Sequence, residues 1–156
     1  MHGKVFLYLS FFIFSLISRG QTENPEATVE RFFKAFHQRD SLQLKAFFTS
    51  EAQLQTLVER PQQPTRIAQV SIERFIRAVA TRPETPVWEE RLGKATVLQH
   101  QGLAQVWVPY RFVLDGKTSH CGYNSFQLIR LEGEWRVNHL IDTRTSNCEA
   151  PAFPEE

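Results

Sequence analysis

The sequence predicts an α+β fold in which a strongly curved antiparallel sheet wraps around about three N-terminal helices. Three observations predict it. Apolar residues in the first half recur at helical spacing, Trp107 to Arg144 reads as three strands joined by two tight turns, and the helical segments precede nearly all of the strands. A sheet of consecutive antiparallel strands whose helices all gather on one face must curl to cover them.

The first twenty residues read as a secretory signal peptide rather than as part of the fold. Lys4 supplies a positive start, Val5 to Ile17 is an uncharged apolar run, and Ser18 and Gly20 place small residues before a cleavage point at Gln21. The run is too short for the roughly 20 residues that span a bilayer. An exported chain, periplasmic or extracellular, with no stable membrane anchor is therefore expected. Removing Lys4 and Arg19 leaves 16 basic and 17 acidic residues, scattered along the chain, so no electrostatic footprint for nucleic acid or an anionic membrane exists.

The first helix has a legible start, with Asn24 as N-cap, Pro25 in the first helical position and Glu26 in the first turn. Val29, Phe32, Phe33 and Phe36 then form one apolar stripe, ending near Gln38. Asp40 and Ser41 cap a short second helix that turns Leu44, Phe47 and Phe48 inward. Ala52, Leu54, Thr56 and Val58 alternate like a strand, and Pro61 and Pro64 enforce a loop. Ser71 caps a third helix carrying Ile72, Phe75, Ile76 and Val79, which Pro83 and Pro86 stop. Strand returns at Trp88, with Gly93 a candidate bulge and a turn near Gln99 to Gly102.

The final three strands are punctuated by Asp115-Gly116 and Glu132-Gly133, a strong hairpin signal between alternating apolar runs. If both turns are regular two-residue loops, Trp107, Arg111, His120, Asn124, Phe126, His139 and Ile141 share one face. That face is expected to line the interior and hold a flat, partly polar ligand. The opposite face, with Tyr110, Cys121, Tyr123, Asp142 and Arg144, is then expected to point outward.

His120 is the candidate general base by residue type, with a hydrogen-bonded histidine beside Arg111 as the plainer alternative. Asp142 is the candidate that orients His120 or acts as a base itself. Regular register puts the two on opposite faces, so they meet only if a bulge, with Gly122 the candidate place, shifts a strand; otherwise Asp142 and Arg144 form a surface network. Cys121 and Cys148 are candidates for a disulfide worth about 3 kcal/mol, the alternative being a buried Cys121 and a loose tail. His120 and Cys121 are neighbours in a strand and point apart, so no metal site is expected, and no phosphate loop or nucleophile elbow implies a cofactor or covalent hydrolysis.

Phe75 to Ala80, Glu89-Glu90-Arg91, Val106 to Tyr110, Ser119 to Leu128 and Ile141 to Arg144 together resemble exported bacterial members of the nuclear transport factor 2-like superfamily, called polyketide cyclase-like or lumazine-binding-like. The resemblance runs from Asn24 to Cys148, so one domain over residues 21–148 and a flexible tail over 149–156 are expected. It implies a cystatin-like cone of sheet with helices at its mouth, a pocket inside, and a homodimer through the outer sheet face. Fold analogy does not fix a reaction. Non-catalytic binding of a small organic ligand is the leading expectation. The alternatives are an isomerase, dehydratase or cyclase using His120 as base, with Arg111 or Asn124 stabilising an oxyanion, and a dimeric interaction module with a filled cone.

Overall fold

Asn24 opens the first helix by accepting the Ala27 amide at 2.7 Å, satisfying one of the donors that a helix N-terminus leaves free. In the computed structural model, which describes residues 24–149 and 153–154, this helix is α1, Pro25–Gln38. The expected leader, residues 1–20, lies outside the described residues. Asp40 caps α2, Ser41–Ala46, through Gln43, and Ser71 caps α3, Ile72–Thr81, through Arg74. All three caps lie where the sequence puts them.

Seven strands follow or intervene: β1 Phe48–Val58, β2 Arg66–Val70, β3 Trp88–Leu92, β4 Thr96–His100, β5 Leu103–Leu114, β6 Lys117–Leu131 and β7 Glu134–Thr143. They form one sheet in the order β2-β1-β7-β6-β5-β3, with β4 also paired to β5. The sheet is mixed rather than wholly antiparallel, because β1 runs parallel to β7. Strand β2 is also an addition, since the stretch after Pro64 reads as loop in the sequence yet pairs with β1 from Leu54 to Val58. Gly93 lies in the break between β3 and β4, where its amide donates to Pro109.

The sheet curls around α1, whose apolar stripe packs against its concave side. Phe32 is the hub, meeting Phe33, Phe47, Phe48 and Phe126 edge-on and lying parallel to Phe75 across 6.3 Å. Leu44, Val79, Val106, Leu128 and Val137 complete this core. Arg82, itself buried, donates to the Phe36 and His37 carbonyls at the C-terminus of α1 and lies over the Phe36 and Trp88 rings. It thereby fastens the end of α1 to the start of β3.

Both hairpin turns have positive φ at their two central residues, Asp115 and Gly116, then Glu132 and Gly133, as a two-residue turn matched to strand twist requires. Pairing near each turn is regular, with Leu114 opposite Lys117 and Leu131 opposite Glu134. Farther along, each hairpin carries one extra residue. Ser119 is inserted where the pairing passes from Val113–Thr118 to Phe112–His120, and Asn138 where it passes from Leu128–Val137 to Gln127–His139. One inserted residue exchanges the two faces of everything beyond it.

Gly122 is not a bulge. The pairing runs through it unbroken, and a Cβ there would sit 1.9 Å from the Thr143 carbonyl oxygen, so the position needs glycine for close backbone approach. One residue before it, Cys121 pairs with Thr145, and the chain then turns back so that Cys148 forms a disulfide with Cys121. On the same convex face Arg111 donates to the Cys148 and Pro154 carbonyls, and Phe153 lies against Tyr123. The described part of the 149–156 segment is therefore laid on the sheet.

Candidate functional site

The concave side keeps a cavity of about 290 Å³ between the helices and the sheet. One wall is aromatic, built by Phe32, Phe33 and Phe36 of α1, Phe75 of α3, Trp88 of β3 and Phe112 of β5. The other end is polar, where Thr56, Glu90, Tyr110, His120, Asn124, Asp142 and Arg144 converge. An apolar chamber with a few aimed polar groups is the usual make-up of a small-molecule site, and this volume stands at the lower end of the roughly 300–1,000 Å³ such sites span.

Asp142 is the anchor of the polar end. Its Oδ1 accepts from the Thr56 hydroxyl at 2.5 Å, and its Oδ2 accepts from Arg144 Nε at 2.7 Å and lies 3.1 Å from the Tyr110 hydroxyl. The single Tyr110 proton is shared between that oxygen and the Thr143 carbonyl at 2.9 Å. Burial and the neighbouring Asp142 and Glu90 charges push the Tyr110 phenol far above its ordinary value, so it stays neutral. Burial works against the Arg144 charge, but the Asp142 charge and hydrogen bond, joined by Tyr110 and Glu90, together raise the guanidinium pKa.

Glu90 stands on the opposite wall with one partner, Asn124 Nδ2, which donates to its Oε1 at 2.6 Å. Burial pushes its pKa up to about 8, the Asp142 charge adds to the rise, and the Asn124 hydrogen bond and Arg144 oppose it. At neutral pH this carboxyl is largely protonated. Its backbone amide donates to His37 Nε2 at 2.9 Å, which places the His37 proton on Nδ1; burial lowers the His37 pKa.

Of the residues that sequence reasoning proposes, His120 and Asn124 line the cavity, and Phe126 lies beneath it in the core against Phe32 and Phe33. Trp107, Arg111, His139 and Ile141 do not line it. The insertions at Ser119 and Asn138 turn them to the convex face, where Trp107 stacks on Tyr123 at 5.1 Å, Arg111 binds the tail, and His139 Nε2 lies 3.0 Å from Gln55 Oε1. The same shift brings Tyr110, Asp142 and Arg144 inward, so Asp142 shares the cavity with His120. No hydrogen bond joins these two among the described residues: His120 Nδ1 lies 3.2 Å from Ser119 Oγ instead. Burial lowers the His120 pKa, the Arg144 charge adds to this, and Asp142 opposes it.

Sequence reasoning misses Glu90 as a site residue, although a signal for it exists. Trp88, Glu90 and Leu92 alternate on one strand, and the outer two face the core, so the carboxyl between them must face inward as well. Among the described residues no group of three or more His, Cys, Asp or Glu side chains is placed to hold a metal ion.

A curled α+β sheet enclosing a ligand-sized cavity defines the structural class. Comparison with solved structures gives that class its name, the cystatin-like fold of the nuclear transport factor 2-like proteins. A protein of unknown function with a cystatin-like fold from Nostoc punctiforme matches with a TM-score of 0.60 and 14% identity, over 78% of this chain and 89% of that one. A candidate scytalone dehydratase from Novosphingobium aromaticivorans matches with a TM-score of 0.61 and 10% identity, over 77% and 80%. A candidate dehydratase of the NTF2-like family from Streptomyces avermitilis matches with a TM-score of 0.57 and 13% identity, over 77% and 92%. No family model matches the sequence, and no curated protein matches it.

Proposed function

We propose that this protein is an exported binder of a small organic molecule, held in the concave cavity without chemical conversion. The observation that carries the reading is the open chamber itself, aromatic on one side and polar at the other end. A filled cone, which the interaction-module reading requires, is at odds with that space. The Cys121–Cys148 bond supports export, because disulfides persist in oxidising compartments. Exposed Trp107, Leu98 and Leu103 on β4 and β5 support a homodimer through the outer sheet face, to be tested by sedimentation.

A second reading is favoured by one specific feature. A cavity carboxyl whose pKa is raised by burial to about 8 suits general acid–base catalysis, so isomerase, dehydratase or cyclase chemistry is the alternative, with Glu90 better placed than Asp142 and with His120 lining the same cavity. Two of the similar structures are candidate dehydratases. The experiment is native mass spectrometry of the protein purified from its own host, followed by incubation of the released molecule with fresh protein. A bound molecule recovered with unchanged mass supports binding, a changed mass supports the enzyme, and no adduct in any preparation overturns the binding reading.

A further inference from the structure

Three contacts fix the chain where it leaves β7. The Thr143 carbonyl lies close over Gly122 and accepts the Tyr110 hydroxyl at 2.9 Å, while the Thr143 hydroxyl accepts the Tyr123 amide at 3.1 Å. Thr145 then exchanges two backbone hydrogen bonds with Cys121, of 3.0 and 2.8 Å, as an isolated bridge beyond the end of the strand. Cys148 closes the turn through its disulfide to Cys121, which is wholly buried. Arg144 stands between the first two contacts. Its half-exposed side chain reaches the polar end of the cavity, where Nε donates to Asp142 at 2.7 Å and Nη2 donates to the Thr56 hydroxyl at 3.3 Å.

We propose that the Cys121–Cys148 bond is a redox latch on the polar end of the cavity. Oxidised, it holds Arg144 across Asp142 and Thr56 where the chamber meets solvent; reduced, it frees the segment from Arg144 to Cys148 and opens that end. Apart from the crosslink, the segment beyond Arg144 is tied to the sheet by the two Thr145 bonds and by the bond that Arg111 gives to the Cys148 carbonyl. Each such bond has a small net worth, and ordering every backbone residue of the segment costs at least as much, so its placement depends on the crosslink. Phe153 on Tyr123 and Pro154 on Arg111 follow the same segment and release with it.

A dithiol reductant opens the latch: it gives up two electrons and two protons, Cys121 and Cys148 become thiols, and the reductant leaves as a disulfide. Exchange with an oxidised dithiol carrier runs the same step backwards and closes it. The latch rests on this geometry and stands whether the cavity binds its ligand or converts it. Combined with the export reading, it leaves a newly made chain with an open chamber until the chain meets an oxidising compartment.

His120 reports the state of the latch. Tyr110, Asp142 and Arg144 surround it, Ser119 lies beside it, and Glu90 stands across the chamber. Burial holds its pKa below the ordinary value, the Arg144 charge adds to this, and Asp142 opposes it. Release of Arg144 removes one lowering influence and wets the ring, so the His120 pKa rises.

The test follows the full chain by nuclear magnetic resonance as oxidised protein, after reduction with dithiothreitol, and as Cys148→Ser, with free thiols counted in each state. Reduction and Cys148→Ser are both expected to speed exchange of the Thr145 amide about tenfold or more, the worth of the freedom regained by a single backbone residue, and to raise the His120 pKa. The core amides of Phe126 and Val137 should keep their protection. Arg144→Gln in the oxidised protein should raise the His120 pKa with Thr145 still protected, which ties the titration to the guanidinium. Unchanged Thr145 exchange or unchanged His120 titration on reduction overturns the latch. Equal loss of protection at Phe126 and Val137 overturns it as well, because the bond would then support the whole fold. None of these outcomes touches the ligand-binding reading, which the host-purified protein tests separately.

Discussion

The two walls of the cavity each carry a carboxyl, and the protein treats them in opposite ways. On β7, Asp142 is surrounded by Thr56, Tyr110 and Arg144, which satisfy its charge. On β3, Glu90 has a single amide partner, and burial raises its pKa to about 8, so the protein holds its proton instead of its charge. The difference teaches that sharing a cavity does not give acidic groups a shared role. What decides the state of each is how many donors the neighbouring strands supply: one acid ties strands together through its charge, and the other, with one donor, keeps its proton.

Widening the space between the walls should have the largest effect. Phe33 is buried edge-on to Phe32, Phe36 and Phe126, so Phe33→Ala is expected to cost about 3 to 5 kcal/mol, read from denaturant unfolding. Asp142→Ala is expected to cost about 2 to 3 kcal/mol, because three donors lose their acceptor while half-exposed Arg144 recovers part of its hydration. A loss under 0.5 kcal/mol would erase the contrast between the walls. Tyr110→Phe removes one shared hydrogen bond and should cost about 1 kcal/mol by the same measurement.

The smallest change at neutral pH, and the most diagnostic, is Glu90→Gln. With a folded pKa of about 8 against an ordinary 4.5, Glu90 binds more proton in the folded than in the unfolded chain between those values. Its contribution is fully present below pH 4.5 and is lost as pH rises through about 8. His37 and His120, with lowered pKa values, act only on the acid side, where stability falls as pH drops below about 6.5. Melting temperatures between pH 6.5 and 8.5 should therefore fall for the wild type and stay flatter for Glu90→Gln. Parallel curves for the two proteins would place Glu90 beside Asp142 as an ionised, satisfied group.

Local chemistry made much of this molecule readable from sequence. The caps at Asn24, Asp40 and Ser71 and the turns at Asp115-Gly116 and Glu132-Gly133 are set by residues a few positions apart, and they lie where the sequence puts them. The insertions at Ser119 and Asn138 were not readable, since neither residue type marks a bulge and each is defined by its partner strand. That alone moved Trp107, Arg111, His139 and Ile141 off the cavity and brought Tyr110, Asp142 and Arg144 onto it. The parallel pairing of β1 with β7 was equally hidden, because it joins segments more than eighty residues apart. Glu90 is readable in the alternation of Trp88, Glu90 and Leu92, which puts its carboxyl on the inner face.

The three tryptophans occupy three different surroundings: Trp88 on the cavity wall, Trp107 on the convex surface stacked over Tyr123, and Trp135 in the interior. The molecule thus has an optical gauge built in. Replacing Trp107 with Phe silences the solvent-facing emitter and leaves Trp88 to brighten or dim as the chamber fills, against a steady Trp135 background. Occupancy becomes visible with no label attached.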